Sequence, residues 1–268
     1  MTKQLGKYFR VAALTWEEML TYRFNFAMWR VRGVLTILTR YYIWLAAIPV
    51  GMTLFGYSQK TILTYVIGTA ILEAIVFSSR AAEIGDDINS GNLSQFLLRP
   101  MNYFGYWFSR DMGDKAMNIV FCAGEVLILY FLLRPPLFAQ TDMLVVVAFL
   151  LAVILATILY FSFSVLLGMI GFWSPEIWAP RFIFIILVNA LSGGLFPLTM
   201  MPPSLYRLFQ LSPFPYLMFF PLNIYLGKVP REQILLGFVV CIFWIGVMYW
   251  FVLRAWKKGI KQYTAYGN

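Results

Sequence analysis

The chain has 268 residues, of which 61% are hydrophobic and 19% aromatic, and its mean hydropathy is +0.74. Charged residues make up 12%, about half of the roughly 25% of an ordinary soluble domain. The composition therefore excludes a soluble fold and predicts a protein that lies in lipid. The net charge is +9 and there is no histidine, which excludes histidine-based acid–base catalysis and histidine metal sites. Cys122 and Cys241 lie in separate apolar runs and predict neither a disulfide nor a metal site.

The first 32 residues predict an amphipathic helix. Between residues 8 and 32, acidic and basic side chains interrupt apolar positions that recur at helical spacing. Trp16 and Trp29 suit the headgroup level of a bilayer, so we expect the helix to lie in the cytoplasmic membrane interface. The alternative is a helix that packs on the protein itself. The recurring apolar positions are Phe9, Ala13, Trp16, Leu20 and Phe24.

Six apolar runs follow, each long enough to approach the roughly 20 residues that a helix needs to cross a bilayer. The fourth run is long enough to tilt or to extend beyond the bilayer. The predicted fold is therefore an all-α polytopic membrane protein with a six-span domain at residues 33–253 and a basic tail at residues 254–268. The runs are Gly33–Gly56, Thr61–Ser79, Lys115–Leu133, Met143–Trp173, Phe182–Met201 and Gln233–Leu253.

The distribution of basic residues predicts the orientation of these spans. With the N-terminus placed in the cytoplasm, fifteen lysines and arginines fall in inner segments and five in outer segments, and Arg40 lies within the first span. Cytoplasmic loops of membrane proteins carry such an excess of basic residues. We therefore expect both termini to be cytoplasmic.

Apart from Lys115, the first residue of the third run, three charged residues fall inside predicted spans: Arg40, Glu73 and Glu125. Arg40 and Glu73 are expected at about the same depth, so an ion pair between them is one arrangement; in the other, Arg40 extends to the interface. Glu125 is deeper and has no obvious partner in the sequence. Its carboxyl is either protonated or faces a polar cavity or another subunit.

A compact polar segment, EIGDDINSGNLSQFLLRP, interrupts the apolar runs at residues 83–100. Gly85 is expected to end the second helix, residues 90–92 to break the chain again, and Pro100 to stop a short helix that has one apolar face. That face suits a groove on another protein, although it could instead pack on the chain's own membrane domain. We call residues 80–112 the coupling segment; its candidate contact residues are Glu83, Asp86, Asp87, Leu93, Phe96, Leu97 and Arg99.

Residues 192–230 contain seven of the 13 prolines. This outer segment is too apolar for an ordinary loop and too broken for a spanning helix. Irregular backbone at membrane depth is tolerated only where protein buries it or a cavity adjoins it. We therefore expect short re-entrant helices near Ser204–Leu211 and Pro215–Tyr225.

The chain lacks the glycine-rich nucleotide loop GxxxxGK[ST]. Its two Gly-Lys pairs, Gly6-Lys7 and Gly227-Lys228, are not followed by Ser or Thr. If ATP drives transport, the ATPase is therefore another subunit. The alternative is an ion-coupled secondary transporter that uses Glu73 and Glu125. An intramembrane enzyme is a third reading, which the lack of a clustered polar motif disfavours.

The sequence resembles the type-2 ABC exporter permeases, in particular their six-span bacterial branch of the viologen/multidrug type. GDDINSGNLSQFLLRP is similar to that branch's "GxL…LLRP" segment, and LSGGLFPLTMMPPSLYRLFQLSPFPYLMFFPLNIYLGK to its "SG…FP…P…PF…P…G" stretch. With the amphipathic N-terminal helix, the likeness covers essentially the whole chain.

The resemblance implies a permease subunit of the bacterial inner membrane that exports a hydrophobic or amphipathic substrate, without a cofactor, catalytic residue or nucleic acid. It further implies a second permease, identical or related, and two ABC ATPase subunits that contact the coupling segment and the N-terminal helix. The outer segment would cap an exit between the two permeases. Residues of that cap would be Phe196, Pro197 and Phe214.

Overall fold

A computed structural model of the protein describes residues 2–21 and 23–263. These residues form an almost wholly helical fold with one short antiparallel hairpin of β1 and β2. The elements in chain order are α1 Thr2–Thr21, α2 Arg23–Ala47, β1 Thr53–Leu54, β2 Tyr57–Ser58, α3 Gln59–Leu72, α4 Ile84–Asn89, α5 Asn92–Leu97, α6 Tyr103–Leu133, α7 Met143–Gly168, α8 Trp178–Leu191, α9 Pro203–Gln210, α10 Phe219–Tyr225 and α11 Arg231–Gln262.

Within the described residues, four helical stretches are long and apolar enough to cross a membrane: Gln59–Asn89, Tyr103–Leu133, Met143–Phe172 and Arg231–Gln262. The multi-pass, all-α character predicted from the sequence is therefore confirmed. The predicted first and fifth spans correspond to α2 and α8. Helix α2 is long enough, at about 37 Å, but is rich in arginine; α8 is about 21 Å long and shorter than the roughly 30 Å hydrocarbon core.

Helix α2 begins and ends about ten residues earlier than the predicted first span. It runs from Arg23 to Ala47, so the expected boundary between residues 32 and 33 lies inside it. Pro49 follows the helix end, and proline disfavours helical backbone at the residue before it. The chain then turns through Gly51, whose φ is +85°, into the hairpin that occupies the end of the predicted span.

The proline-rich outer segment folds as short helices. Helix α9, a 3-10 turn at Phe214–Leu217, and α10 stand where two short helices were expected. Residues 219–224 are all buried, and Leu222 packs where a Cβ on Gly68 of α3 would lie. Side chains of α3, α7, α10 and α11 form the main hydrophobic core. The segment is therefore an integral part of the packed bundle.

Candidate functional site

Glu125, for which the sequence offered no partner, forms a two-point ion pair with Arg30. Nε of Arg30 donates to Oε1 of Glu125 at 2.6 Å, and Nη2 donates to Oε2 at 2.5 Å. Nη1 of the same guanidinium donates to Oδ1 of Asn118 at 3.1 Å. This pair joins α2 to α6, with both side chains less than one-fifth exposed. Parallel hydrogen bonds of this kind are strong and geometrically specific.

Arg40 and Glu73 also form an ion pair, the first of the two arrangements that the sequence left open. Nη1 of Arg40 donates to Oε1 of Glu73 at 2.6 Å and lies 3.5 Å from Oγ1 of Thr69. Glu73 begins a π-helical turn, Glu73–Phe77, at the end of α3. Such turns are often found at functional sites. Arg40 lies ten residues after Arg30, or about 15 Å along α2.

A cleft of about 870 Å³ lies between α2 and the helices α3 and α6. Both ion pairs line it, with Gly33, Thr36 and Ile37 of α2 between them. Asn189 and Leu195 border it from α8 and the turn that follows. The charged residues of its lining are Glu18, Arg30, Arg32, Arg40, Glu73, Arg80, Glu83 and Glu125.

At the end of the bundle where α4 and α5 lie, a charge network connects α1, the coupling segment and α6. Arg110 Nη2 lies 2.5 Å from Oε2 of Glu18 and 3.9 Å from Oε2 of Glu83. Arg80 contacts the same two glutamates and also Asp114, whose Oδ1 accepts from Nε at 3.2 Å. The network therefore connects the N-terminal helix directly to the coupling segment.

A second, more deeply buried pair lies beside this network. Lys115 Nζ is 3.2 Å from Oδ2 of Asp111, and the two side chains are 5% and 0% exposed. Lys115 also donates to the backbone carbonyl of Ser78, while the backbone N–H of Arg80 donates to Oδ1 of Asp111 at 2.9 Å. The pair thus holds the chain just after the π-helical turn against α6.

Two of the three side chains of the expected docking face are buried, which corrects that interpretation. Leu93 is 0% exposed and Phe96 6% exposed; both belong to a core cluster with Tyr103 and Trp107 of α6. They pack on the chain's own membrane domain because the same i, i+3 face also fits the aromatic start of α6. Leu97 is 49% exposed and its neighbour Leu98 88%. With the exposed Arg99, these two leucines form what we call the leucine tip.

Gly85 does not end a helix, as the sequence suggested, but lies within α4. The preceding helix has already ended at an extended Ser78. Gly85 is instead a point of close approach between helices. A Cβ added to it would lie 2.8 Å from the carbonyl oxygen of Gly168, and a Cβ on Gly171 would lie 2.9 Å from Cα of Gly85. The predicted break at residues 90–92 is present, and Gly91 has φ +78°.

Replacing Gly85 by alanine is expected to lower the free energy of unfolding by about 1–3 kcal/mol, because the added methyl overpacks this contact. The matched control is Gly124→Ala. Gly124 lies within α6 and has nothing within 4 Å of an added Cβ, so alanine there should be neutral or stabilising by about 0.5–1 kcal/mol. Thermal unfolding of the detergent-solubilised variants measures both. Equal melting temperatures for Gly85→Ala and the unchanged protein would contradict the packing argument.

The acidic residues of the coupling segment contact the protein's own arginines and tyrosines. Oδ2 of Asp86 lies 3.1 Å from Nη2 of Arg181 in α8, which also donates to the carbonyl of Ala82. Oδ2 of Asp87 accepts from the hydroxyl of Tyr103 at 3.4 Å. The hydroxyl of Tyr263, directly after α11, accepts a hydrogen bond from the backbone N–H of Ser94 at 3.2 Å. Helices α4 and α5 therefore contact the ends of α6, α7, α8 and α11 together.

The three expected cap residues pack within the chain. Pro197 is buried, whereas Phe196 and Phe214 are half-buried. The ring of Phe214 stacks on that of Phe163 of α7 at a centroid distance of 5.9 Å. Phe214, the first residue of the 3-10 turn Phe214–Leu217, is therefore packed against α7.

The β-hairpin lies at the start of α3 and contacts the proline-rich segment. The hydroxyl of Tyr57 donates to Oδ1 of Asn223 in α10 at 2.6 Å. Lys228 Nζ lies 4.1 Å from the centre of the Tyr57 ring and donates to the carbonyl of Gly56. Burial lowers the pKa of Lys228 and raises that of Tyr57 to about 12. These contacts join the hairpin to the proline-rich segment.

Helix α1 packs on the protein, the alternative considered for it, and its position in a membrane interface stays a prediction. One face packs along α6: Nε1 of Trp16 donates to the carbonyl of Gly113 at 2.6 Å, and a Cβ on Gly113 would meet the backbone of Ala12. The other face leaves Phe9 78% exposed and Leu20 56% exposed. An apolar face that remains exposed on a packed helix is suited to lipid.

Comparison with known families identifies the family of this chain. A family described as "ABC-2 family transporter protein" matches residues 34–267. The chain belongs to the ABC-2 transporter family. No curated protein matches it.

Membership confirms the resemblance inferred from the sequence. ABC-2 family chains of this kind are membrane components of transport rather than catalysts, and the family implies association with ABC ATPase subunits. The protein is thus a multi-pass permease of an ABC transporter. In this ABC-2 permease, the charged cleft and the coupling segment are the two features that bear on transport.

Proposed function

We propose that this permease is the membrane subunit of an ATP-driven exporter that moves a hydrophobic or amphipathic substrate out of the cytoplasm or the inner leaflet. Family membership supports the transporter class. The observation that carries the coupling argument is the leucine tip. It is a small exposed surface at the end of α5, and α5 with α4 contacts the ends of four long helices.

This arrangement lets a movement at the leucine tip reach the spans. Leu93 and Phe96 are the buried attachment of α5 rather than its docking surface, so a displacement of Leu97 and Leu98 would be carried through them to Tyr103 and Trp107. Glu83, with Arg80 and Arg110, would carry it further to α1. Arg99 of the tip, with Asp86 and Asp87 of α4, would give a partner ATPase polar contacts.

The remaining parts of the proposal concern topology and assembly. The six spans would be α2, α3, α6, α7, α8 and α11, with both termini cytoplasmic in the bacterial inner membrane. A second permease, identical or related, would pair with this one, and two ABC ATPase subunits would bind on the cytoplasmic side. Phe196, Pro197 and Phe214 would cap the exit on the outer side.

The alternative is an ion-coupled secondary transporter, but the two carboxylates that it would use are already paired with arginines. Glu125 accepts two hydrogen bonds from Arg30, and Glu73 pairs with Arg40. A carboxylate paired in this way must first break its hydrogen bonds to the guanidinium before it can bind a transported ion. Transport driven by an ion gradient in vesicles without ATP would favour the alternative.

The double substitution Leu97→Asp, Leu98→Asp is expected to abolish co-purification of the ATPase, reducing it at least about tenfold, because it places two charges in a desolvated apolar contact. The membrane fraction and the melting temperature of the permease should stay unchanged, since both leucines are exposed. Pull-down of the ATPase with affinity-tagged permease from detergent-solubilised membranes measures the association.

The matched control is Val50→Asp, Met52→Asp, at two residues that are 85% and 64% exposed beside the β-hairpin, at the end of the bundle away from α4 and α5. This variant should retain the ATPase. Normal recovery of the ATPase with the substituted leucine tip would exclude it as the docking surface. Loss of the ATPase from the control variant alone would place the docking surface at the other end and overturn the proposed orientation.

A further inference from the structure

The Arg40–Glu73 pair leaves part of each side chain free toward the cleft. Among the described residues, only Nη1 of Arg40 forms hydrogen bonds, and only Oε1 of Glu73 accepts one. The guanidinium therefore offers a free donor edge, and the carboxylate a free oxygen. Their side chains are 17% and 30% exposed. Within a membrane protein, polar groups of this kind require a partner inside the protein or in an adjoining cavity.

The charges of the cleft balance. Its described lining holds four arginines and four glutamates and no other charged side chain. A ligand with a net charge would therefore leave one charge uncompensated in a cleft between helices, where an unpaired charge is costly. A ligand with one positive and one negative group adds no net charge and can pair with the free parts of both Arg40 and Glu73.

The walls of the cleft suit an apolar chain beside such a headgroup. Ile37, Phe77, Ala70 and Ala74 line the space around Arg40 and Glu73, and Leu195 borders it. Small side chains leave room, and large apolar ones supply contact area. A volume of about 870 Å³ lies within the roughly 300–1,000 Å³ range of ligand sites.

We propose that this cleft binds a zwitterionic amphiphile, whose anionic group is held by the free edge of the Arg40 guanidinium and whose ammonium group is held by the free oxygen of Glu73. The ligand is either a phospholipid of the bilayer or a single-chain amphiphile. The inference deepens the proposed function, because such a ligand is amphipathic like the proposed substrate. Binding can be measured on the permease alone, so a failure here leaves the ATPase experiment unaffected.

The test is native mass spectrometry of the full-length permease in detergent, with equal concentrations of phosphatidylethanolamine, lyso-phosphatidylethanolamine and phosphatidylglycerol added in turn. The two zwitterionic compounds represent the two sources, and phosphatidylglycerol has the same phosphate without the ammonium. We expect at least one zwitterionic compound to be retained about tenfold more than phosphatidylglycerol, because only the anion leaves an uncompensated charge. Retention of the two-chain compound alone identifies a bilayer lipid as the source.

Two variants make the result specific to the pair. Arg40→Gln, Glu73→Gln should remove the preference, and Glu73→Gln alone, which makes the cleft net positive, should reverse it toward phosphatidylglycerol. Loss of folding cannot produce such a reversal. Arg134→Gln is the control, because Arg134 is exposed outside the cleft, and it should bind like the unchanged protein. Equal retention of all three lipids, or a preference that survives both cleft variants, would overturn the proposal.

Discussion

Replacing Lys115 by methionine is expected to destabilise the folded permease by about 3–5 kcal/mol, because it leaves the carboxylate of Asp111 buried without its cation. Methionine keeps the length of the apolar stem but removes the ammonium. The carbonyls of Val76 and Ser78, which Lys115 contacts at the end of the π-helical turn, also lose their donor. The melting temperature should fall by roughly 10 °C.

Two further variants separate the charge effect from the loss of the side chain. Asp111→Asn combined with Lys115→Met removes both charges, and the amide oxygen can still accept from the N–H of Arg80, so the double variant should be more stable than Lys115→Met alone. Lys60→Met, at an exposed lysine, should change stability by no more than about 0.5 kcal/mol. A double variant no more stable than Lys115→Met alone would contradict the argument that the unpaired Asp111 charge causes the loss.

Much of the fold could be predicted from the sequence because lipid-exposed helices must be long and apolar. The four most apolar runs form long helices, and the proline pattern indicated the short helices at residues 203–225. The first and last residues of helix α2 could not be predicted in this way. Arg30 and Arg40 lie inside this helix because they pair with residues of α6 and of the end of α3, and hydropathy counts such residues only as costs.

The ion pairs of the candidate site were likewise only partly predictable from the sequence. Arg30, Gly33, Ile37 and Arg40 are spaced so that they share one face of α2, a signal that could have linked Arg30 to Glu125. The predicted boundary at residue 32 separated Arg30 from the span and obscured it. The apolar spacing of Leu93 and Phe96 was correctly identified, but spacing cannot distinguish a partner's groove from the chain's own aromatic residues. Only the burial of their side chains decides this.

Replacing Arg30 by methionine is the second substitution with a large expected effect, about 3–5 kcal/mol of destabilisation. It leaves Glu125, which is 16% exposed, without either of its two donors, and it also removes the partner of Asn118 Oδ1. Glu125→Leu in the same chain removes the remaining charge and should restore much of the lost stability. Thermal unfolding of Arg30→Met, Glu125→Leu and the double variant gives the coupling energy of the pair.

The same cycle at Arg40 and Glu73 provides the matched comparison, since both pairs join α2 to a neighbouring helix and line one cleft. Arg30–Glu125 has two parallel hydrogen bonds and Arg40–Glu73 has one, and Glu73 is the more exposed carboxylate at 30%. We therefore expect coupling energies of about 2 kcal/mol and about 1 kcal/mol, within the range found for contacting residues. The relative strength of the two ion pairs matters for function as well as for stability, because the weaker pair is the one whose free groups would face a ligand. Stronger coupling between Arg40 and Glu73 than between Arg30 and Glu125 would mean that the first pair is held too tightly to exchange partners with a zwitterion.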